Sequence, residues 1–421
     1  DGSAVSSHTV TVANADPIAS IDTVSTPQLE GTAITVTASA TDPAGINDTL
    51  TYAWSVYKNG STESFATGGN STTFTFTPDD NGQYRIVFLV NDDDGGHDED
   101  ETTITVGNVA PQNLTVSGPT EAVEGTSVSL TASATDPAGL ADPLTYTWSI
   151  TRDGTLYHQA SGANISFAVP DNGSYVATVT VDDGDDGSAV SSHTVTVANA
   201  NPIASIDTVS TPQVEGTAIS VSASATDPAG AKDTLTYAWS VYKNGSTESF
   251  ATGGNSTTFM FTPDDNGQYR IVFLVNDEDD GSGIATTTIT VANLPPTLTI
   301  DRATVIAAVG SQAVITGTFG DVPADTVTLT PTVGEVLRLD GRWVWLLNVN
   351  ADTPASQIVT ITAVDDDGDT TTTTFNLVTL NLRPLITAVS GDTTGDEGSL
   401  FAFHADVLNL AGTGGSLTYH W

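Results

Sequence analysis

Cysteine is absent from this 421-residue chain, so it can form no disulfide, thiolate zinc site or cysteine nucleophile. Basic residues are scarce: 10 Lys plus Arg stand against 51 Asp plus Glu, a formal charge of −41. A surface this acidic excludes nucleic acid and anionic membrane as partners, because basic side chains hold both. It favours cations, or solvation in saline water. No apolar run reaches membrane-spanning length, so direct membrane insertion of this segment is not expected, and neither a signal peptide nor a lipid box is seen. No helical period is sustained anywhere. The motifs H-E-x-x-H and G-x-S-x-G and a phosphate-cradling glycine loop are missing, and the six histidines have no metal-ligand spacing. No catalytic residue and no organic cofactor is expected.

What the chain does contain is repetition. "TDPAG" occurs at 41–45, 135–139 and 226–230, each time ahead of an "LTYxW" run. Glu30, Asp42 and Trp54 are twelve apart, as are Glu124, Asp136 and Trp148, and Glu215, Asp227 and Trp239. An Asn-x-x-Pro marker recurs at Asn14/Pro17, Asn108/Pro111, Asn199/Pro202, Asn293/Pro296 and Asn381/Pro384. It divides the chain into repeats 15–108, 109–199, 200–293 and a divergent 294–381. Residues 1–14 equal 186–199 letter for letter and predict the last strand of a preceding repeat. Residues 382–421, where Glu397 and Trp421 keep the repeat spacing, predict the first half of a further one.

Within a repeat the apolar period is two. Leu50, Tyr52, Trp54 and Val56 share one face, as do Tyr84, Ile86, Phe88 and Val90, and Gly, Asn, Asp and Pro punctuate the runs. About seven short strands in roughly 90 residues predict an all-β fold, a tandem array of immunoglobulin-like β-sandwich domains set end to end. Trp54 falls on the strand that carries the core tryptophan of such sandwiches. Asp80-x-Gly82-x-Tyr84, repeated at Asp171 to Tyr175 and Asp265 to Tyr269, reads as a tyrosine corner. In 294–381, Val309 and Val333 replace the glutamate and the tryptophan, and Ile358 is expected at the corner position. There Trp343 and Trp345 are expected in the core.

The YxW strand, the D-x-G-x-Y corner, the acidic VxDDG-like loop and the closing TxTVxN…P together resemble the PKD-like and cadherin-like immunoglobulin-fold repeats of large bacterial surface proteins. The resemblance implies an extracellular, cell-surface location and a role as spacer, adhesive stalk or calcium-stiffened rod, or as an accessory to a secreted enzyme.

The acids fall at the poles of the expected sandwich. In the first repeat Asp42 lies in the B–C loop and Asp92 and Asp94 in the F–G loop, converging on the leading pole. Glu30 lies in the A–B loop and Asp79 and Asp80 in the E–F loop, at the trailing pole. Where one repeat follows another, Glu30, Asp79, Asp80 and the linker Asn108 are expected to meet Asp136, Asp182 and Asp183. The next joints would gather Glu124, Asp171 and Asn199 with Asp227, Asp277 and Asp279, then Glu215, Asp264, Asp265 and Asn293 with Asp321, Asp365 and Asp367. Carboxylates at contact require either a raised pKa or a cation. Calcium fits, since it takes six to eight oxygen ligands with flexible geometry, whereas no stretch matches the EF-hand loop. The competing reading is that the acids only solvate turns.

The expected function is structural: a repeat segment of a bacterial surface adhesin, stalk or filament, stiffened by Ca2+. Copies of itself, surface glycans or another cell are the expected partners. The alternative is a set of accessory repeats of a secreted polysaccharide-active enzyme.

Overall fold

A computed structural model of the chain describes residues 2–408 and 417–420. Apart from single 3-10 turns at Gly45–Asn47 and Gly230–Lys232, the regular elements among the described residues are all strands. The chain divides into two compact units, residues 1–200 with 227–233 and residues 201–226 with 234–421.

The first unit holds two sandwiches. In the first, the sheet Ile18–Val24, Ile34–Thr41, Thr73–Phe76 packs on the sheet Ala66–Gly68, Thr51–Lys58, Gly82–Asn91, His97–Val106. In the second, Gln112–Ser117, Thr126–Thr135 and Asn164–Val169 face a five-stranded sheet in which Thr145–Arg152 pairs with Gly173–Asp182. The alternating residues of the facing sheets close each core, because successive side chains of a strand point to opposite sides. Trp54 and Trp148 are buried at these centres, and Trp54 lies 4.5 Å from Phe88, its cross-strand neighbour. Each indole still needs an acceptor, and Nε1 donates to Ser71 O at 2.8 Å and to Gly162 O at 2.9 Å respectively.

The second unit holds a sandwich built like the first, around Trp239, Tyr269 and Phe273. It also holds one of different construction. In the latter, Arg342–Asn348 pairs with Gln312–Gly320, which puts Trp343 and Trp345 on the opposite sheet from Trp239's counterpart position. Both indoles are fully buried, so they form core and offer no aromatic surface. A two-stranded sheet, Leu385–Gly391 with Phe403–Leu408, follows; Trp421 lies outside the described residues.

One expectation needs correction. Ile358 is 72 % exposed. Counting back from the loop aspartate, as Tyr84 stands to Asp92, places Gln357 at the corner position before Asp365. The side chain next to it therefore faces solvent. Residues 2–14 form no strand, although the identical segment does so at Ser188–Ala198. There it pairs along Gly173–Asp182.

The tyrosine corner joins the core to the poles. Tyr84 Oη donates to Asp80 O at 2.8 Å, Tyr175 to Asp171 O at 3.0 Å and Tyr269 to Asp265 O at 2.7 Å. A fully buried ring thus fixes the loop that carries each of these aspartates.

Candidate metal centre at the sandwich poles

In the first unit the trailing pole of one sandwich meets the leading pole of the next. Glu30 is fully buried. Its Oε1 accepts a 2.6 Å hydrogen bond from Val109 N, the first residue past the linker Asn108, while its Oε2 is buried without a hydrogen-bond partner. Gly31 has φ +64°, and a Cβ placed there would stand 2.5 Å from Pro137 Cβ. Glycine at this position therefore serves both a left-handed turn and the close approach of the TDPAG loop. At Gly125, also left-handed, a Cβ would stand 2.6 Å from Pro228 O.

This approach brings the acids together. Ligand oxygens of Glu30, Asp136 and Asp142 lie within 4.8 Å of one another, and so do those of Asp80, Asp142 and Asp185. Asp136 Oδ1 accepts from Ala138 N at 2.9 Å, the Asx turn that proline and glycine shape, and its Oδ2 is buried and unpartnered. Asp80 gives one oxygen to Lys58 Nζ at 2.8 Å and has the other buried without a partner. Asn108 donates to Asp183 Oδ2 at 3.0 Å and Asp185 O at 2.9 Å, leaving its own Oδ1 buried and unpartnered. Burial, then the charges of Asp80, Asp185, Asp136 and Asp183, push Asp142 up to about 6. Burial likewise raises Glu30 against the pull of Val109 N, with Asp142, Asp136 and Asp80 adding to it. Asp183 is held low despite burial, because Asn108 and the amides of Asp185 and Gly187 donate to it.

The second unit repeats the pattern. Glu215 Oε1 accepts from Leu294 N at 2.7 Å and Oε2 is unpartnered. Glu215, Asp321 and Asp325 form a group of the same dimensions. Asn293 donates to Asp365 Oδ2 at 2.9 Å, and Asp369 N donates to Asp365 Oδ1 at 2.8 Å. Burial, then Glu215, Asp321, Asp367 and Asp265, push Asp325 up to about 7. Two further groups are Glu124, Asp171 and Asp233, and Asp42, Asp48 and Asp92. Asp227 Oδ2 is buried without a partner, and its charge raises Glu124. Asp277 Oδ1 accepts from the amides of Asp279 and Gly281, as Asp92 Oδ1 does from Asp94 and Gly96. Asn199 directly follows the strand Ser188–Ala198, in the linker position of Asn108.

Some predicted ligands are engaged by other donors or lie exposed. Asp79 accepts from Lys58 at 2.8 Å and Tyr84 Oη at 3.0 Å, and Asp264 repeats this with Lys243 and Tyr269. Those partners hold both carboxyls below their ordinary range despite burial. Asp94 is exposed, and so is Asp182, which turns onto Gly184 N in its own loop. Asp182 is the counterpart of Asn91; Asp185 is the residue that reaches the joint. Sequence reasoning missed Asp142, Asp48 and Asp233, although each stands six residues after the TDPAG aspartate.

The distances fit a hard cation. Two oxygens at 2.3–2.6 Å from one calcium are at most about 5 Å apart.

Family profiles match three successive segments: one PKD-domain profile over residues 22–106, a second, different PKD-domain profile over 108–198 and a bacterial Ig domain over 199–290. The chain is a tandem array of PKD-like immunoglobulin repeats. No curated protein matches the PKD-like chain. Among solved structures, a three-immunoglobulin segment of titin (an E-to-A mutated variant) is 14 % identical, with TM-score 0.29, covering 65 % of this chain and 99 % of that one. Three FN domains of chicken CNTN1 are also 14 % identical, with TM-score 0.21, covering 66 % and 98 %. No helix among the described residues is long and apolar enough to cross a membrane.

Proposed function

We propose that these PKD-like repeats are a non-catalytic, extracellular segment of a bacterial surface adhesin, stalk or filament, and that calcium at the poles locks neighbouring sandwiches together. One observation carries the reading: at the Glu30 joint, carboxylate oxygens from two sandwiches converge, buried and without hydrogen-bond donors. Burying an ionised carboxylate unpaired is strongly unfavourable, and a divalent cation is the partner that removes the cost for several at once. The same acids recur joint after joint, which supports a mechanical role over a catalytic dyad, since a dyad needs one cleft with divergent acidities. A rod stiffened in this way serves as a spacer on a cell surface or as the shaft of a fibre.

The absence of cysteine makes the test direct. Cysteines introduced at the exposed Thr75 and Ser166, one in each sandwich of the first unit, take spin labels without competition. Calcium is expected to narrow the distance distribution between them and chelator to broaden it. A distribution indifferent to calcium refutes the locking role.

A further inference from the structure

The carboxylate groups of the first unit differ in how their charge is balanced. At the Glu30 joint the two groups share Asp142, which is only 2 % exposed and has a buried Oδ2 without a partner. Glu30, Asp136 and Asp80 each add a buried, unpartnered oxygen. The nearby cation is Lys58, and it is shared: the E–F loop reads Pro78-Asp79-Asp80, and Lys58 Nζ bridges Asp79 and one oxygen of Asp80, both at 2.8 Å. At the Glu124 group the loop is one acid shorter, Pro170-Asp171-Asn172, and arginine replaces lysine. Arg152 Nη1 donates to Asp171 Oδ2 and Nε to Asn172 O at 3.0 Å. Glu124 has both oxygens satisfied, by Ala200 N at 2.7 Å and Asn172 N at 2.9 Å. Both counterpart carboxylates thus carry a cation on one oxygen, but Lys58 is divided between two acids and leaves Asp80 Oδ1 buried without a partner, whereas Arg152 meets both Asp171 and the carbonyl of Asn172. A guanidinium holds several N–H donors in one plane, so a single side chain can serve a carboxylate and a carbonyl at once.

We infer that Asp142 is shared by two divalent cations, one held with Glu30 and Asp136 and one with Asp80 and Asp185, and that Arg152 replaces the second of these at Asp171. The ligand class is a hard, oxygen-seeking divalent ion, because every available donor is a carboxylate or amide oxygen. Each oxygen of a carboxylate can serve a different ion, so Asp142 can bridge. The inference rests on the cation reading above and adds to it a stoichiometry that differs between joints.

The test counts calcium bound to the whole chain, stripped and then dialysed against calcium, by elemental analysis. Asp80→Asn should lose one ion and Asp142→Asn two, while Arg152→Gln, which frees Asp171, should gain one. Circular dichroism checks that each variant is folded; if Asp142→Asn is not, Asp80→Asn and Arg152→Gln still decide, since loss of one and gain of one are required. Equal losses for Asp80→Asn and Asp142→Asn overturn the shared site, and no gain for Arg152→Gln overturns the substitution of arginine for an ion. A wild-type chain that binds no calcium defeats both this inference and the reading beneath it.

Discussion

Stripping calcium from the chain should lower the melting temperature of the first unit by roughly 5–10 °C for each ion lost. Anything that binds only the folded state stabilises it by mass action, about 2.7 kcal/mol at a hundredfold excess over Kd. A stability change of 1 kcal/mol moves the melting point of a unit this size by about 2–4 °C. The calcium-dependent increment should shrink in Glu30→Gln and Asp142→Asn, whose oxygens face the joint. It should survive in Asp79→Asn and Asp182→Asn, because one is occupied by Lys58 and Tyr84 and the other turns into its own loop. Calorimetric scans with calcium and with chelator give both numbers. An increment that is absent in wild type, or equally lost in all four variants, would contradict the placement of the ligands.

The second large effect is a reversal of pH dependence. Asp142 and Asp325 titrate near 6 and 7 in the folded chain, against an ordinary value of 3.8. A carboxyl whose folded pKa is raised holds its proton more tightly when folded. Between the two values the folded state binds more protons than the unfolded one, so stability falls as pH rises. The calcium-free chain should therefore melt several degrees higher at pH 5 than at pH 7. Glu30, Glu215 and Asp321 are raised as well and act in the same direction. Asp79, Asp183 and Asp264 are lowered, and their contribution is lost only under more acid conditions. With calcium present the proton competes with the ion, and the slope should change sign. Melting at pH 5, 6 and 7, with and without calcium, reads both slopes. Parallel slopes would mean that protons and calcium do not share these oxygens.

Much of this was legible in the residues. Period-two alternation located the strands, and the buried Trp54, Tyr84 and Phe88 occupy the inward phase it predicted. The fixed spacing of glutamate, aspartate and tryptophan, with the linker asparagine, marked the poles. What sequence could not supply was register within loops. Alternation stops at the end of a strand, so it did not separate Asp182 from Asp185, and it is Asp185 that groups with Asp80 and Asp142. Asp142 follows a turn rather than a strand, and its role depends on the neighbouring sandwich. Ile358 was misplaced by one residue for a related reason: one step along a strand exchanges core for solvent. In residues 294–381 the tryptophans moved to the opposite sheet, a change of core construction that composition does not encode.

The most direct measurement is an anomalous difference map from crystals of the chain grown in calcium. A peak is expected among the oxygens of Glu30, Asp136 and Asp142, at about 2.3–2.6 Å from each. A map with no peak there, showing those oxygens hydrogen-bonded to water or to one another's protons, would contradict the account.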